Sequence, residues 1–321
     1  MNILGIESTA HTYGVGIITD KAKILANQKD MFKPGVAGIH PRLASEHHAE
    51  VSRTVLQNAL KEANLTMEDI DLIGYSQGPG LPPCLHIGAV SARTLSLIHN
   101  IPLIGVNHCV SHIEIGRALT KAKDPVFLYV SGANTQVISK KSGRYRVFGE
   151  TLDIGVGNML DVIGRNLGLE FPAGPKIEQL ALKGKKLIPL PYSVKGMDMS
   201  FSGLINKIEQ IKKKHSIEDI CYSLQETVFA MLLEVSERAM SNLNKKELLI
   251  GGGVGANKKL NEMAKTMCKQ RGAKFYETPK MVCVDNGVMI AWNAYLAEKN
   301  VNGFKPILKD YRTDEVDIIW K

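Results

Sequence analysis

PVFLYVSGANTQVISKKSGRYRVFGE, residues 125–150, repeats in plan what NILGIESTAHTYGVGIITDKAKILANQKD does at residues 2–30. Each stretch reads as strand, glycine-bearing turn, strand, strand, because short blocks of apolar β-formers are punctuated by Gly, Ser and Asn. Outward from the first copy, MFKPGVAGIHP (31–41) reads as a loop. A long amphipathic helix is predicted from Arg42 to Asn64, with Val51, Val55, Leu56, Ala59 and Leu60 as its apolar stripe. DLIGYSQ (71–77) reads as a buried strand, followed by helix 85–99, the strand PLIGV and a helix opened by Asn107 as N-cap. Outward from the second copy come helical segments from Val156, long helices over 199–214 and 217–242, and ELLIGGG as a strand entering a glycine turn. Helices over 256–271 and 286–299 complete the pattern.

A duplicated strand–turn–strand–strand unit predicts an α/β protein with two mixed sheets facing each other across a nucleotide cleft, as in the two-lobed actin-like (actin/Hsp70/sugar-kinase, ASKHA) architecture. The expected lobes are 1–120 with 295–321, including a helical insertion over 30–70, and 121–294 carrying the nucleotide pocket.

At 321 residues and 44% hydrophobic content, the chain has material for two domain-sized cores. Met1 leads straight into ILGIE, so no secretory signal is expected, and charges or glycines interrupt every candidate membrane span. The five cysteines, Cys84, Cys109, Cys221, Cys268 and Cys283, are scattered without a C-x-x-C pair, which argues against a disulfide framework or zinc ribbon and for a reduced cytoplasm. A net charge of +8, concentrated in KKSGRYR (140–146), KGKK (183–186), KKK (212–214) and the pair at 258–259, suits contact with a polyanion such as RNA, although solvated lysine faces produce the same numbers.

Chemistry first surfaces at His108 and His112, four apart in NHCVSH. On a helix that spacing places Cβ atoms about 5–6 Å apart on one face, close enough for both imidazoles to hold one ion. A zinc protease is disfavoured, because Cys109 stands where H-E-x-x-H needs its glutamate. Gly5–Gly16 and Ser131–Gly132–Ala133–Asn134 are candidate phosphate-cradling turns, one per copy, or ordinary hairpin turns. GGGVGAN (251–257) fits a dinucleotide fingerprint, with Glu277 about 20 residues on as a ribose-gripping acid, but little parallel sheet remains to complete that domain, so an adenine–ribose pocket is favoured. Asp153, Asp161, Glu178 and Asp285 each fall beside a glycine or at a helix start, where they serve either the helix dipole or a bound hydroxyl, amine or metal.

ILGIESTA, SQGPGLPPCLHIGAVSARTL, NHCVSHIEIGRA, LYVSGANTQV, FGETLDIGVGNMLD, KGMDMSFSGL, YSLQET and IGGGVGAN follow one another in an order that closely resembles the tRNA threonylcarbamoyladenosine synthase family, TsaD in bacteria. The KGMDMSFSGL wording is similar to its archaeal–eukaryotic branch, the catalytic subunit of the KEOPS complex, and the resemblance spans nearly the whole chain. It implies an actin-like fold and transfer of the threonylcarbamoyl group from threonylcarbamoyl-AMP to the exocyclic amine of adenosine 37, in tRNAs reading codons that begin with A. It also implies metal ligation by His108, His112, Tyr129 and Asp285, by iron or zinc, with magnesium as a harder alternative. Tyr129, Val130, Ser131, Gly132 and Ala133 are implied to touch substrate, and Asp161, Gly174, Glu178 and Asn257 to form the adenine-nucleotide pocket, which ATP could also occupy. The partners implied are tRNA and, as separate chains because no kinase segment follows Trp320, a small protein kinase, a dimerising subunit and an accessory subunit. No membrane is implied.

Alanine at 133 and 173, where the family wording usually has glycine, would strain either turn if it required positive φ. Two other classes share parts of this reading. An actin-like ATP-driven switch or chaperone would keep the adenine pocket without needing the histidines. A nonspecific nucleic-acid binder would show salt-sensitive binding without preference among tRNAs.

Overall fold

The computed structural model describes residues 1–33, 38–298 and 303–320; part of the loop expected over 31–41, and the last residue of the helix expected to reach 299, lie outside them. Along the chain run β1 (Asn2–Glu7), β2 (Thr12–Thr19), β3 (Ile24–Met31), α1 (Pro41–Ala63), β4 (Leu72–Gly78), α2 (Pro82–His99), β5 (Leu103–Asn107) and α3 (His108–Thr120). Then follow β6 (Val126–Val130), β7 (Thr135–Lys141), β8 (Arg144–Glu150), α4 (Val156–Asn166), α5 (Gly174–Ala181), β9 (Val194–Lys195) and β10 (Asp198–Met199). The remainder is α6 (Ser202–Ile211), α7 (Ile217–Asn242), β11 (Glu247–Gly251), α8 (Lys258–Gln270), β12 (Lys274–Glu277), α9 (Lys280–Cys283) and α10 (Gly287–Leu296).

The chain divides into two compact units, Met1–Leu119 with Ser142–Tyr145 and Asp285–Lys321, and Thr120–Lys141 with Arg146–Val284. The chain thus returns to the first unit at Asp285 rather than at 295, because α10 packs on the first sheet from its opening residue.

In the first unit the sheet order is β3-β2-β1-β4-β5, an antiparallel meander (β1–β3) joined to two parallel strands. Residues of one parity, Leu4, Ile6, Val15 and Ile17, bury against Val55 and Ala59 of α1 and Ala89 and Ala92 of α2. The opposite face carries α10, and glycine decides how close it comes. A Cβ on Gly5 would lie 2.2 Å from the Gly287 carbonyl, and one on Gly16 2.2 Å from the Val288 nitrogen. Gly5 and Gly16 are cross-strand partners inside the ladder. The two glycines themselves lie in the strands rather than in the turn between them, and they form the seat that lets helix backbone rest directly on sheet backbone.

In the second unit the order is β12-β11-β6-β7-β8, with β11 and β12 parallel to β6 and β7 antiparallel to it. A dinucleotide-binding domain needs a longer parallel run, so the glycine motif at 251–257 does not open one. α4, α6, α7 and α8 supply Val156, Leu160, Leu204, Ile208, Leu224, Val228, Leu260 and Ala264 to its core. The helix expected from 199 starts at Ser202, because Met199 is taken up in pairing with Val194 and Thr151. No helix among the described residues is long and apolar enough to cross a membrane.

Candidate functional site

In the first unit, the Asn107 side chain accepts a hydrogen bond from the Val110 amide (3.1 Å) and so opens α3 at the residue predicted. One turn of helix then stacks His108 over His112, with ring centroids 4.8 Å apart at 83°. Asp285 reaches the same place from the residue pair preceding α10, where Asn286 caps the helix by accepting from the Met289 amide at 3.0 Å. Its Oδ1 lies 3.3 Å from His112 Nε2 and 3.5 Å from His108 Nε2. Donor atoms of the three residues all fall within 4.8 Å of one another.

Glu7, not singled out from the sequence, completes the arrangement. Its Oε2 is 3.0 Å from His108 Nδ1, while its Oε1 accepts from the Thr9 amide (2.7 Å) and hydroxyl. Glu7 shares a sheet face with Gly5 two residues earlier, so the face that seats α10 also carries the histidine's partner. A carboxylate holding Nδ1–H fixes the ring with Nε2 facing Asp285, so that Nε2 is the nitrogen a metal ion would take once it displaces the proton there. Two imidazole nitrogens and a carboxylate oxygen, buried and backed by an outer carboxylate, fit iron or zinc better than magnesium.

The charges are mutually stabilised. Burial alone would drive the His108 proton off, but Glu7 and then Asp285 outweigh it and lift the imidazole to about 9. Burial dominates at His112, whose pKa is lowered despite the hydrogen bond with Asp285. Burial opposes charge on Asp285 too, yet the His112 hydrogen bond and the histidine charges hold it well below the usual carboxylate range. Cys109 is buried and its thiol is pushed up to about 12, so it stays protonated.

The other expected residues lie in the second unit. Tyr129 is fully buried in β6, its ring stacked on Phe127 at 5.8 Å. Val130 ends that strand, and the turn after it is closed by the Ser131 amide donating to the Asn134 carbonyl (2.8 Å). The start of α4 clasps this turn: the Gly157 and Asn158 amides donate to the Ser131 and Gly132 carbonyls (3.0 and 2.9 Å). A Cβ on Gly155 would lie 2.3 Å from the Ala133 carbonyl, which explains the glycines of DIGVGN. Neither Ala133 nor Ala173 has a positive φ. Ala173 sits at φ −80° with its methyl against Gly164, so neither turn is strained by its alanine.

Asp161, Gly174, Glu178 and Asn257 form one connected run. Asp161 accepts from the Ala173 amide (2.8 Å), immediately before Gly174 opens α5. Glu178, one turn further along α5, accepts from the Lys258 amide (2.9 Å). Asn257 caps α8 through the Lys259 and Leu260 amides and donates to Gln225 (2.8 Å). Asp153 serves a helix instead, accepting from the Phe201 and Ser202 amides at the start of α6.

With this geometry in place, comparison with known proteins is specific. The tRNA N6-adenosine threonylcarbamoyltransferase family model matches residues 21–292. A tRNA N6-adenosine threonylcarbamoyltransferase of Thermococcus kodakarensis is 52% identical over 328 residues, covering 100% of both chains. A probable bifunctional tRNA threonylcarbamoyladenosine biosynthesis protein of Methanosarcina acetivorans is 53% identical over 325 residues, across 99% of this chain and 59% of that longer one. Among solved structures, T. kodakarensis HypF superposes with a TM-score of 0.67 at 14% identity, over 94% of this chain and 48% of its own. Component A of Acidaminococcus fermentans (R)-2-hydroxyglutaryl-CoA dehydratase gives 0.58 at 15%, over 92% and 98%. These two likenesses concern the fold, which is the actin-like α/β one with two mixed sheets. The chain belongs to the tRNA N6-adenosine threonylcarbamoyltransferase family.

Proposed function

We propose that this protein moves the threonylcarbamoyl group of threonylcarbamoyl-AMP to N6 of adenosine 37, in tRNAs reading codons that begin with A, as the catalytic subunit of a cytoplasmic KEOPS assembly. The observation that carries the reading is the His108–His112–Asp285 cluster backed by Glu7, in a chain of this family. An actin-like ATP switch has no use for it.

In the reaction the adenine amine attacks the carbamoyl carbon, a C–N bond forms, the C–O bond to AMP breaks, and the amine proton leaves to solvent or phosphate. AMP is a good leaving group and the amine a poor nucleophile, so positioning carries much of the acceleration. Asp161 and Glu178 hold ribose hydroxyls, and Asn257 and Gly174 flank the adenine. The Ser131–Ala133 turn, held rigid by α4, lies against the acyl phosphate. His108, His112 and Asp285 would hold the ion, and Glu7 would keep the His108 ring turned with Nε2 toward it. When bound, iron or zinc there would supply Lewis-acid stabilisation of the charge that develops during acyl transfer.

The partners are tRNA and the kinase, dimerising and accessory subunits of the assembly. The bifunctional name and greater length of the Methanosarcina relative support a second activity of threonylcarbamoyladenosine synthesis travelling with this one. The test is to incubate the chain and its partners with threonylcarbamoyl-AMP and unmodified tRNA, then weigh the digested nucleosides. Threonylcarbamoyladenosine is expected from the wild type and not from His108→Ala/His112→Ala. Equal product from both would remove the metal centre from the mechanism.

A further inference from the structure

We infer that the lysine-bearing loop after α5, together with the lysines before α7, is a docking surface for the phosphodiester backbone of the tRNA. The inference rests on the transferase reading and adds where on the second unit the RNA lies.

The two lysine runs are distant in sequence but the fold brings them to one place. Residues 183–186 are laid along the first turns of α7: the Lys185 and Lys186 amides donate to Asp219 Oδ1 at 2.8 and 2.9 Å. The Ile188 amide donates to Ser223 Oγ at 2.8 Å, and a Cβ on Gly184 would lie 2.4 Å from Tyr222 Cβ. The second run, Lys212–Lys214, leads directly into Ser216, the N-cap of the same helix. Loop and helix start are therefore fixed against each other.

Lys183, Lys185, Lys186, Lys213 and Lys214 are all exposed, and none has a carboxylate partner among the described residues. Lys212 differs, being tied to Glu209 (2.8 Å) and to the Asn166 carbonyl. The acidic groups alongside are Glu218 and Asp219. Asp219 is turned mainly onto the loop amides, which keep its pKa low with a smaller contribution from the Lys186 charge, and none of the lysine ammonium groups forms an ion pair with it. Five exposed cations without an ion-pair partner among the described residues, Lys186 alone feeling the nearby Asp219 charge, match a polyanion better than a single anionic ligand. Their place also suits the chemistry. α5 carries Gly174 and Glu178, and its eight residues end just before the loop. At about 1.5 Å per residue, the platform begins about 12 Å from Gly174, so RNA held there would lie beside the pocket assigned to the donor nucleotide.

The experiment measures binding of unmodified tRNA to the full chain by fluorescence anisotropy between 50 and 200 mM salt. The variant is Lys183→Gln/Lys185→Gln/Lys186→Gln/Lys213→Gln/Lys214→Gln. A control removes the same charge elsewhere, at the exposed Lys21, Lys23, Lys61, Lys265 and Lys269. The surface variant is expected to bind at least about 30-fold more weakly, with the log–log salt slope reduced by about 4, since each phosphate contact contributes about 0.7–0.9. Adenine-nucleotide affinity stays unchanged in the same protein, which excludes misfolding. Equal loss in the control, or unchanged tRNA affinity in the surface variant, overturns the inference. Intact tRNA affinity with lost modification in the presence of the partner subunits overturns it in favour of a protein contact. A wild-type chain that binds no tRNA even with its partner subunits, while retaining nucleotide, would instead defeat the transferase reading beneath it.

Discussion

Glu7 determines which nitrogen of His108 faces Asp285 and His112, and that makes it the residue through which the proposed metal centre is most sharply tested. With Oε2 at 3.0 Å from Nδ1, it both orients the ring and raises its basicity. Glu7→Gln keeps the shape but removes the charge, and metal affinity is expected to fall about 10–100-fold. Competition with a chromophoric chelator checks this on folded protein, and unchanged affinity would show that His108 is oriented without Glu7. The histidine pair was legible because helical spacing is a local signal. Glu7 and Asp285 were harder to see, since a lone carboxylate at a strand end or before a helix looks the same whether it ligates or caps. Asp153 makes the point from the other side: the same pattern of an acid beside glycines proved to hold a helix start.

At the scale of elements, α10 links packing to chemistry, because the helix that Asp285 precedes is seated on glycines of β1 and β2. Gly16→Ala places a methyl 2.2 Å from the Val288 nitrogen, with backbone on both sides and nothing flexible to give way. A cost of at least about 2 kcal/mol is expected from such overpacking, visible as a lower Tm, together with weakened metal binding as Asp285 shifts. Gly203→Ala, whose methyl would meet only Pro191 Cβ at 4.0 Å, should leave both unchanged. If Gly16→Ala behaves like Gly203→Ala, the seat is not what positions Asp285.

The start of α6 gives a pH-dependent prediction. Burial opposes charge on Asp153, but amide hydrogen bonds from Phe201, Ser202 and Ile154 outweigh it and hold its pKa at about 2, below the ordinary 3.8. A depressed carboxylate stabilises the fold fully above its unfolded value, and that contribution is lost as pH falls from about 3.8 towards 2. Asp153 is solvent-exposed, so after screening Asp153→Ala should cost only about 1 kcal/mol at pH 7. The gap between variant and wild type in urea unfolding should narrow as pH drops from 5 to 3; a gap constant with pH would exclude the charged clasp. Strands and long helices were readable because period-2 and period-3.6 patterns persist over many residues. The β9–β10 ladder was not, since two residues per strand hold no period. Gly5 and Gly16 read as turn residues because sequence cannot show that a helix arrives from 270 residues away.

For the whole molecule, the repeated β6–β8 plan announced a second sheet like the first, but not the strands that extend it: β11 and β12 join beside β6 across more than a hundred residues of chain. The return of the chain at Asp285 was equally hidden, being decided by contact with β1 and β2. Net charge, +8, pointed to a polyanion without saying where it would lie; the fold adds that two lysine runs share one platform. Membership of the transferase family and the metal-ligand geometry meet in a single claim, that this chain acylates one adenine of tRNA. The most direct measurement is single-turnover transfer of label from threonyl-labelled threonylcarbamoyl-AMP, with the partner subunits present, to tRNA bearing adenosine 3′ of the anticodon and to the same tRNA bearing guanosine there. Label is predicted on the adenosine tRNA alone, and only when His108 and His112 are intact. Label on both tRNAs, or on neither while the adenylate is bound, would contradict it.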